Sequence, residues 1–358
     1  MGRIIPNHPS MRVLQEIKGG SFTVTLPRWW VEKYGLNKGA RLFTSEDGCS
    51  LRLAVNDPSR IRKDVVIEID KLGDMKSVRY CILTYYMQGA YTITVKSSTA
   101  ISSDRKKKLR EIRFEMHGVE IIHEDSNSIV FNVISDIGRE KLDDVITTIH
   151  EIALFAHKDS IHALNENNLQ LAREVVDREG DMLRVYRKLI RHLSLASVHP
   201  EIAYTSGVRD SNELITYALL ARDLNRVFYH GIYISKHLLR LGRTMKAYDL
   251  IPQVNSLSEL AQVMQQLAVE AFIDRDFQKV IAVTGMMGDV REAEEKLSID
   301  VMRRVRDFED AITLLFIARD VRRIAGYSVA MADAAANRVL SPFAPRRAGG
   351  FSIGRIII

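Results

Sequence analysis

The chain has 358 residues, enough for two or three domains with cores of their own. Hydrophobic residues make up 46% and charged residues 27%, as in a soluble globular protein, and no apolar run approaches the roughly 20 residues of a membrane span. Cys49 and Cys81 are the only cysteines, which excludes a disulfide framework and a four-cysteine zinc site. With no apolar stretch of signal-peptide length at the start, the expectation is a cytoplasmic protein without membrane insertion.

The net charge of +6 suits a polyanionic partner without requiring one, and it is unevenly placed. In residues 1–41, Arg3, Arg12, Lys18, Arg28, Lys33, Lys38 and Arg41 face only Glu16 and Glu32. Nucleic-acid binders concentrate charge in this way. A second basic run, Arg105 to Arg110, reads more simply as a solvated helix face.

Residues 11–56 read as a β-rich unit. Arg12 to Lys18 alternates as a strand, Gly19-Gly20 makes a turn, and Ser21 to Leu26 is a second strand rich in β-branched residues. Pro27 opens a short helix from Arg28 to Tyr34, and Gly35 closes it. Trp30, three residues before Lys33 and four before Tyr34, is the core candidate of the Trp29-Trp30 pair. Arg41 to Thr44 and Ser50 to Val55 form a hairpin. A ββαββ unit of this size is near the limit for a lone core, and its simplest partner is a second copy of itself.

Residues 57–141 read as an α/β region. Strands are expected over Asp64–Asp70, Ala90–Lys96, Val119–Glu124 and Ser128–Ile134, with helices over Ser77–Gly89 and Ser103–His117. From Leu142 the pattern changes to long amphipathic helices, with Leu142, Val145, Ile149, Ile152 and Ala156 on one face. Helices are predicted over 142–164, 169–193 and 212–245, with a loop at His199-Pro200. After Pro252 the scheme repeats: Ser256-Leu257-Ser258-Glu259 reads as a capping box, followed by helices over 276–306 and 308–340. Ala221-Arg222-Asp223-Leu224-Asn225-Arg226-Val227 matches Ala318-Arg319-Asp320-Val321-Arg322-Arg323-Ile324. Two similar triplets, 142–246 and 256–340, predict two three-helix bundles side by side.

No chemistry-bearing motif points to an enzyme. Ten histidines are scattered without a His-Glu-x-x-His pattern, and there is no Gly-x-Ser-x-Gly, phosphate-binding loop or dinucleotide fingerprint. Asp177 and Asp181, four apart on a predicted helix, put two repelling carboxylates on one face, a repulsion that a cation relieves and a solvated surface tolerates. Asp223 with Arg226, and Asp320 with Arg323, read as ion pairs that set the register of the bundles.

Gly20-Ser21-Phe22-Thr23-Val24-Thr25-Leu26-Pro27, followed by Trp30-Val31, Tyr34-Gly35-Leu36 and Lys38-Gly39, resembles the SpoVT/AbrB swapped-hairpin domain. That resemblance implies two chains interlocked into one small β-barrel that binds DNA, with contacts from Arg12, Lys18, Ser21, Arg28, Lys33 and Lys38. The doubled helical triplet resembles the PhoU family of phosphate-uptake regulators, and the whole layout is similar to archaeal chains that join the two domains. Relatives of the PhoU type bind metal clusters at an acidic pair and at an Asp-His step on the third helix. The residues at that step here are Tyr229-His230 and Gly326-Tyr327, and Asp289 is followed four later by Ala293, so acidic positions are missing. Asp177, Asp181, Asp223 and His230 are the remaining candidates for a divalent or iron ion.

The sequence thus predicts an α+β multidomain chain: a swapped-hairpin barrel (11–56), an α/β middle region (57–141) and two repeated three-helix bundles. The expected function is a homodimeric DNA-binding regulator of phosphate-transport genes whose helical part senses a transporter or signalling protein. The competing reading is a dimeric adaptor that docks on such a partner without binding DNA.

Overall fold

The computed structural model describes residues 11–17, 19–47, 50–55, 63–134, 140–209 and 211–341. The chain divides into two compact units, Met1–Ile61 and Arg62–Ile358.

In the first unit, β1 (Gln15–Ile17) pairs antiparallel with β2 (Ser21–Thr23). Gly19 and Gly20 make the turn at φ of 114° and 85°, a region that side chains disfavour, and the Gly20 N–H donates to the Ile17 carbonyl at 3.2 Å. Helix α1 (Arg28–Lys33) follows Pro27, whose φ of −60° is already set for a helix. Strands β3 (Phe43–Asp47) and β4 (Ser50–Ala54) form the second hairpin. The two hairpins are separate two-stranded sheets, and no closed barrel forms among the described residues of one chain. Both first strands are shorter than their sequence patterns, starting at Gln15 rather than Arg12 and ending at Thr23 rather than Leu26. A two-stranded ribbon with no packed face orders best beside its turn.

The second unit begins with an α/β layer. Its strands are β5 (Asp64–Glu68), β6 (Thr92–Lys96), β7 (Val119–Glu124) and β8 (Ser128–Val133), in the order β5-β6-β8-β7. β5 and β6 are parallel, joined through α2 (Met75–Met87), whereas β6-β8 and β8-β7 are antiparallel. Asp74 caps α2 by accepting from the Ser77 N–H at 2.6 Å. Helix α3 (Ser103–Ile112) stops short of its predicted end, because a 3-10 turn at Arg113–Glu115 and Gly118, at φ 64°, swing the chain into β7. Ile93, Val95, Ile129 and Phe131 of the sheet pack against Ile82, Tyr86 and Leu109 of the helices.

The helical region follows. The first set is α4 (Leu142–Asn165), α5 (Leu169–Asp177), α6 (Glu179–Val198), α7 (Pro200–Thr205) and α8 (Ser211–Leu241). The second set is α9 (Ile251–Asp274), α10 (Phe277–Arg304) and α11 (Phe308–Val339). The single helix predicted over 169–193 is two, separated at Arg178, whose guanidinium pairs with Asp159 of α4 at 2.5 Å. The predicted loop at His199-Pro200 becomes α7, opened by that proline. The capping-box reading is also overturned. Helix α9 starts at Ile251 with Pro252 in its first turn, so Ser256 and Ser258 lie inside the helix. Asp276 and Asp307 do cap, accepting N–H bonds at the starts of α10 and α11. The two sets join through α8 against α11 and α4 against α9, around one continuous apolar core. Among the described residues no helix is long and apolar enough to cross a membrane.

Candidate nucleic-acid interface and the bundle seam

The first unit carries the basic residues picked out by sequence. Arg12, Ser21, Arg28, Lys33 and Lys38 are exposed, and Lys18 lies outside the described residues. Ser21 opens β2, beside the two-glycine turn. Arg28 and Lys33 bracket α1, where the Arg28 guanidinium meets Glu32 one turn on at 2.8 Å. Lys33 stands over the Tyr34 ring at 5.3 Å, and Trp30, half-buried, tilts against the same ring at 5.5 Å. Arg12 and Lys38 make no ion pair among the described residues.

Among the described residues of this unit no side chain is buried. Phe22, Ile17, Val24, Phe43 and Leu51 are all exposed. Strand residues of this type are depleted from solvated hairpins because each leaves apolar area in water.

The helical region has a different kind of site, at the seam of α8 and α11. Asp320 of α11 is 1% exposed and holds both carboxylate oxygens against α8. His230 Nδ1 lies 2.9 Å from one and His237 Nε2 lies 2.8 Å from the other. The two histidines are seven residues, or two turns, apart on one face of α8. Burial alone would raise the Asp320 carboxyl, but hydrogen bonds from His230 and His237 outweigh it and hold it below the usual range. Tyr327 stacks on His230 and Phe316 on His237, and the Arg240 and Arg319 guanidinia lie over Phe316.

This seam corrects two sequence readings. Asp320 pairs across the seam with histidines, not with Arg323. Asp223 is buried and takes its hydrogen bonds from Arg222, at 3.0 and 3.3 Å, rather than from Arg226. Burial raises the Asp223 carboxyl despite that contact. The relevant clue was present in the sequence, because His230 and His237 share a helix face with the repeated Arg-Asp step opposite. Periodicity does not say which helix a side chain meets.

The candidate metal residues are not assembled. Asp177 ends α5 and Asp181 lies in α6, so the break at Arg178 removes the single-helix spacing. Both are exposed, Asp181 pairing with Arg184 at 2.8 Å, while His230 is engaged with Asp320. Among the described residues no three His, Cys, Asp or Glu side chains come together as a metal site. The donor set does not fit the metal cluster that the resemblance implies.

Comparison with protein families gives a match over residues 146–238 and again over 254–335, both to the PhoU domain. The PhoU-domain model thus matches the helical region twice. The two matches fall on the two helical sets, and the first unit and the α/β layer lie outside them. Among solved structures, the phosphate transport system regulatory protein PhoU from Streptococcus pneumoniae is similar, with a TM-score of 0.44 and 15% identity over 55% of this chain and 92% of that one. PhoU from Pseudomonas aeruginosa gives a TM-score of 0.40 and 15% identity over 55% of this chain and 94% of that one. Comparison with curated proteins gives no match.

Proposed function

We propose that this protein is a homodimeric, DNA-binding regulator of phosphate-transport genes, in which the first unit reads DNA and the PhoU domains sense a transporter or signalling partner. The observation that carries the reading is the first unit's lack of any buried side chain among its described residues, together with its exposed strand residues and basic groups. A second copy interlocking its hairpins with the first would bury Phe22 and Ile17, close the small barrel and double the basic groups on one surface. Arginine and lysine on phosphates give an affinity that falls steeply with salt. The double PhoU-domain match supports the phosphate-transport side of the reading, because the sequence resemblance to that family is to regulators of phosphate uptake.

A dimeric adaptor without DNA function is the second reading. Met302 and Phe308, 74% and 76% exposed at one end of α10 and α11, favour it, because a protein partner would cover them. Anisotropy of the full chain on DNA from upstream of phosphate-transport operons, against scrambled DNA and over a salt series, separates the two. The expected result is preferential binding that weakens steeply with salt and is lost in Arg12→Ala/Arg28→Ala. Absence of binding at low salt leaves the adaptor reading standing and removes the first.

A further inference from the structure

Three arginines lie along one face of α6, at positions 184, 187 and 191, and two of them bond the helical region to the α/β layer. Arg191, 1% exposed, donates from one Nη to the carbonyls of Tyr86 at 2.9 Å and Ala90 at 2.6 Å. Arg187, 8% exposed, donates to the Glu115 carbonyl at 3.1 Å and pairs with its carboxylate at 3.3 Å. Arg184 is different. Among the described residues its hydrogen-bond partner is Asp181, on its own helix and well exposed, and it takes no acceptor from the layer.

Arg184 instead lines an open surface pocket of about 420 Å³, where the turn at Arg113–Glu115 and the start of β7 meet α6. That volume falls within the roughly 300–1,000 Å³ typical of small-molecule sites, and such sites favour domain junctions. Arg113 lines the same cavity, lies over the Phe114 ring at 4.6 Å and has no carboxylate partner among the described residues. His117 completes the polar side. Its backbone is pinned, the carbonyl accepting from the Tyr86 hydroxyl at 3.1 Å and the N–H donating to it at 3.2 Å. Burial, then the Lys188 charge, lower the His117 pKa against the opposing Glu140 charge, with Arg184 adding to the fall, which favours the neutral ring as a hydrogen-bonding group. Phe114, Met116, Val119 and Ile134 supply apolar wall.

We infer that this cavity binds a small organic carboxylate, with the anion held by Arg184 and Arg113 and the apolar body against Phe114 and Val119. The guanidinium fork matches a planar carboxylate in two parallel hydrogen bonds. Glu120 also lines the cavity and Asp181 pairs with Arg184, so the two guanidinia are already partly offset and a second negative charge on the ligand is disfavoured. A ligand seated here touches the α/β layer and α6 at once, and so stiffens the junction that Arg187 and Arg191 build. This inference stands apart from the DNA-binding proposal and does not depend on it.

Calorimetric titration of the full chain with phenylacetate tests it, with phenylacetamide as the neutral isostere and phenyl phosphate as the dianion. Saturable phenylacetate binding is expected, weakened at least tenfold in Arg184→Gln and in Arg113→Gln, with no binding of phenylacetamide. The Arg113 side chain is exposed, so its variant decides the matter if Arg184→Gln does not fold. No saturable heat with phenylacetate, unchanged affinity in the variants, or a preference for phenyl phosphate each overturns the assignment.

Discussion

At the scale of single residues, Arg191 ties the α/β layer to the helical region. Its guanidinium lies between the Tyr86 and Tyr91 rings, 5.1 and 5.4 Å from their centres, while bonding two carbonyls of the layer. Arg191→Met keeps the length of the side chain and leaves both buried carbonyls without that donor. The Tyr86 carbonyl keeps the Gly89 N–H while the Ala90 carbonyl loses the Arg191 donor, so we expect a loss of about 1–3 kcal/mol in urea denaturation. A loss below about 0.5 kcal/mol, the range of an ordinary surface change, would contradict the role assigned to it. Nothing in the sequence marks this residue. It reads as one more basic position in Ile190-Arg191-His192, and its acceptors lie about a hundred residues upstream. Asp320 was half legible: the repeated Arg-Asp step identified it, but its histidine partners depend on how α8 faces α11.

At the scale of elements, the helices make a testable statement about pH. His150 and His157 of α4 and His192 of α6 are held neutral, chiefly by burial, with pKa values lowered to about 4, about 3 and about 4. His157 accepts or donates at Ser258 of α9 across 2.9 Å, and its Nδ1 has no partner among the described residues. In the unfolded chain these rings titrate near 6.5. Below that value the unfolded state takes up protons that the folded state refuses, so stability falls as pH drops from about 6.5 towards 4. Above about 6.5 both states are neutral and these groups contribute no slope. Denaturation curves between pH 4 and 8 should therefore show stability rising with pH and then levelling, with a shallower rise in His157→Gln. An unchanged slope in that variant would mean that the ring takes up its proton in the folded protein as readily as in the unfolded chain. The element pattern itself was largely legible, because apolar spacing and the proline and glycine signals are local. The break at Arg178 goes with a long-range pair to Asp159, which local letters do not show, whereas at His199 and Ser256 the signal was local: Pro200 and Pro252 each stand in the first turn of a helix.

At the scale of the whole molecule, two kinds of unit are joined. The helical region and the α/β layer have extensive buried cores of their own. The first unit has strands, a helix and turn glycines in the order its sequence predicts, yet no buried side chain among the described residues. The sequence showed the local elements of that unit but not its core, because alternation marks which strand residues are apolar and not what covers them. The account therefore makes dimer formation and DNA binding one property of one unit. Replacing Phe22 by Asp puts a charge where an interlocked copy would pack, and leaves the helical region untouched. The most direct test is sedimentation of the full chain with fluorescently labelled operator DNA, for the native protein and for Phe22→Asp. The account expects the native chain to sediment as a dimer that carries the DNA, and the variant to sediment as a folded monomer that leaves it free. A native monomer that carries DNA, or a Phe22→Asp dimer that binds as well as the native chain, would contradict it.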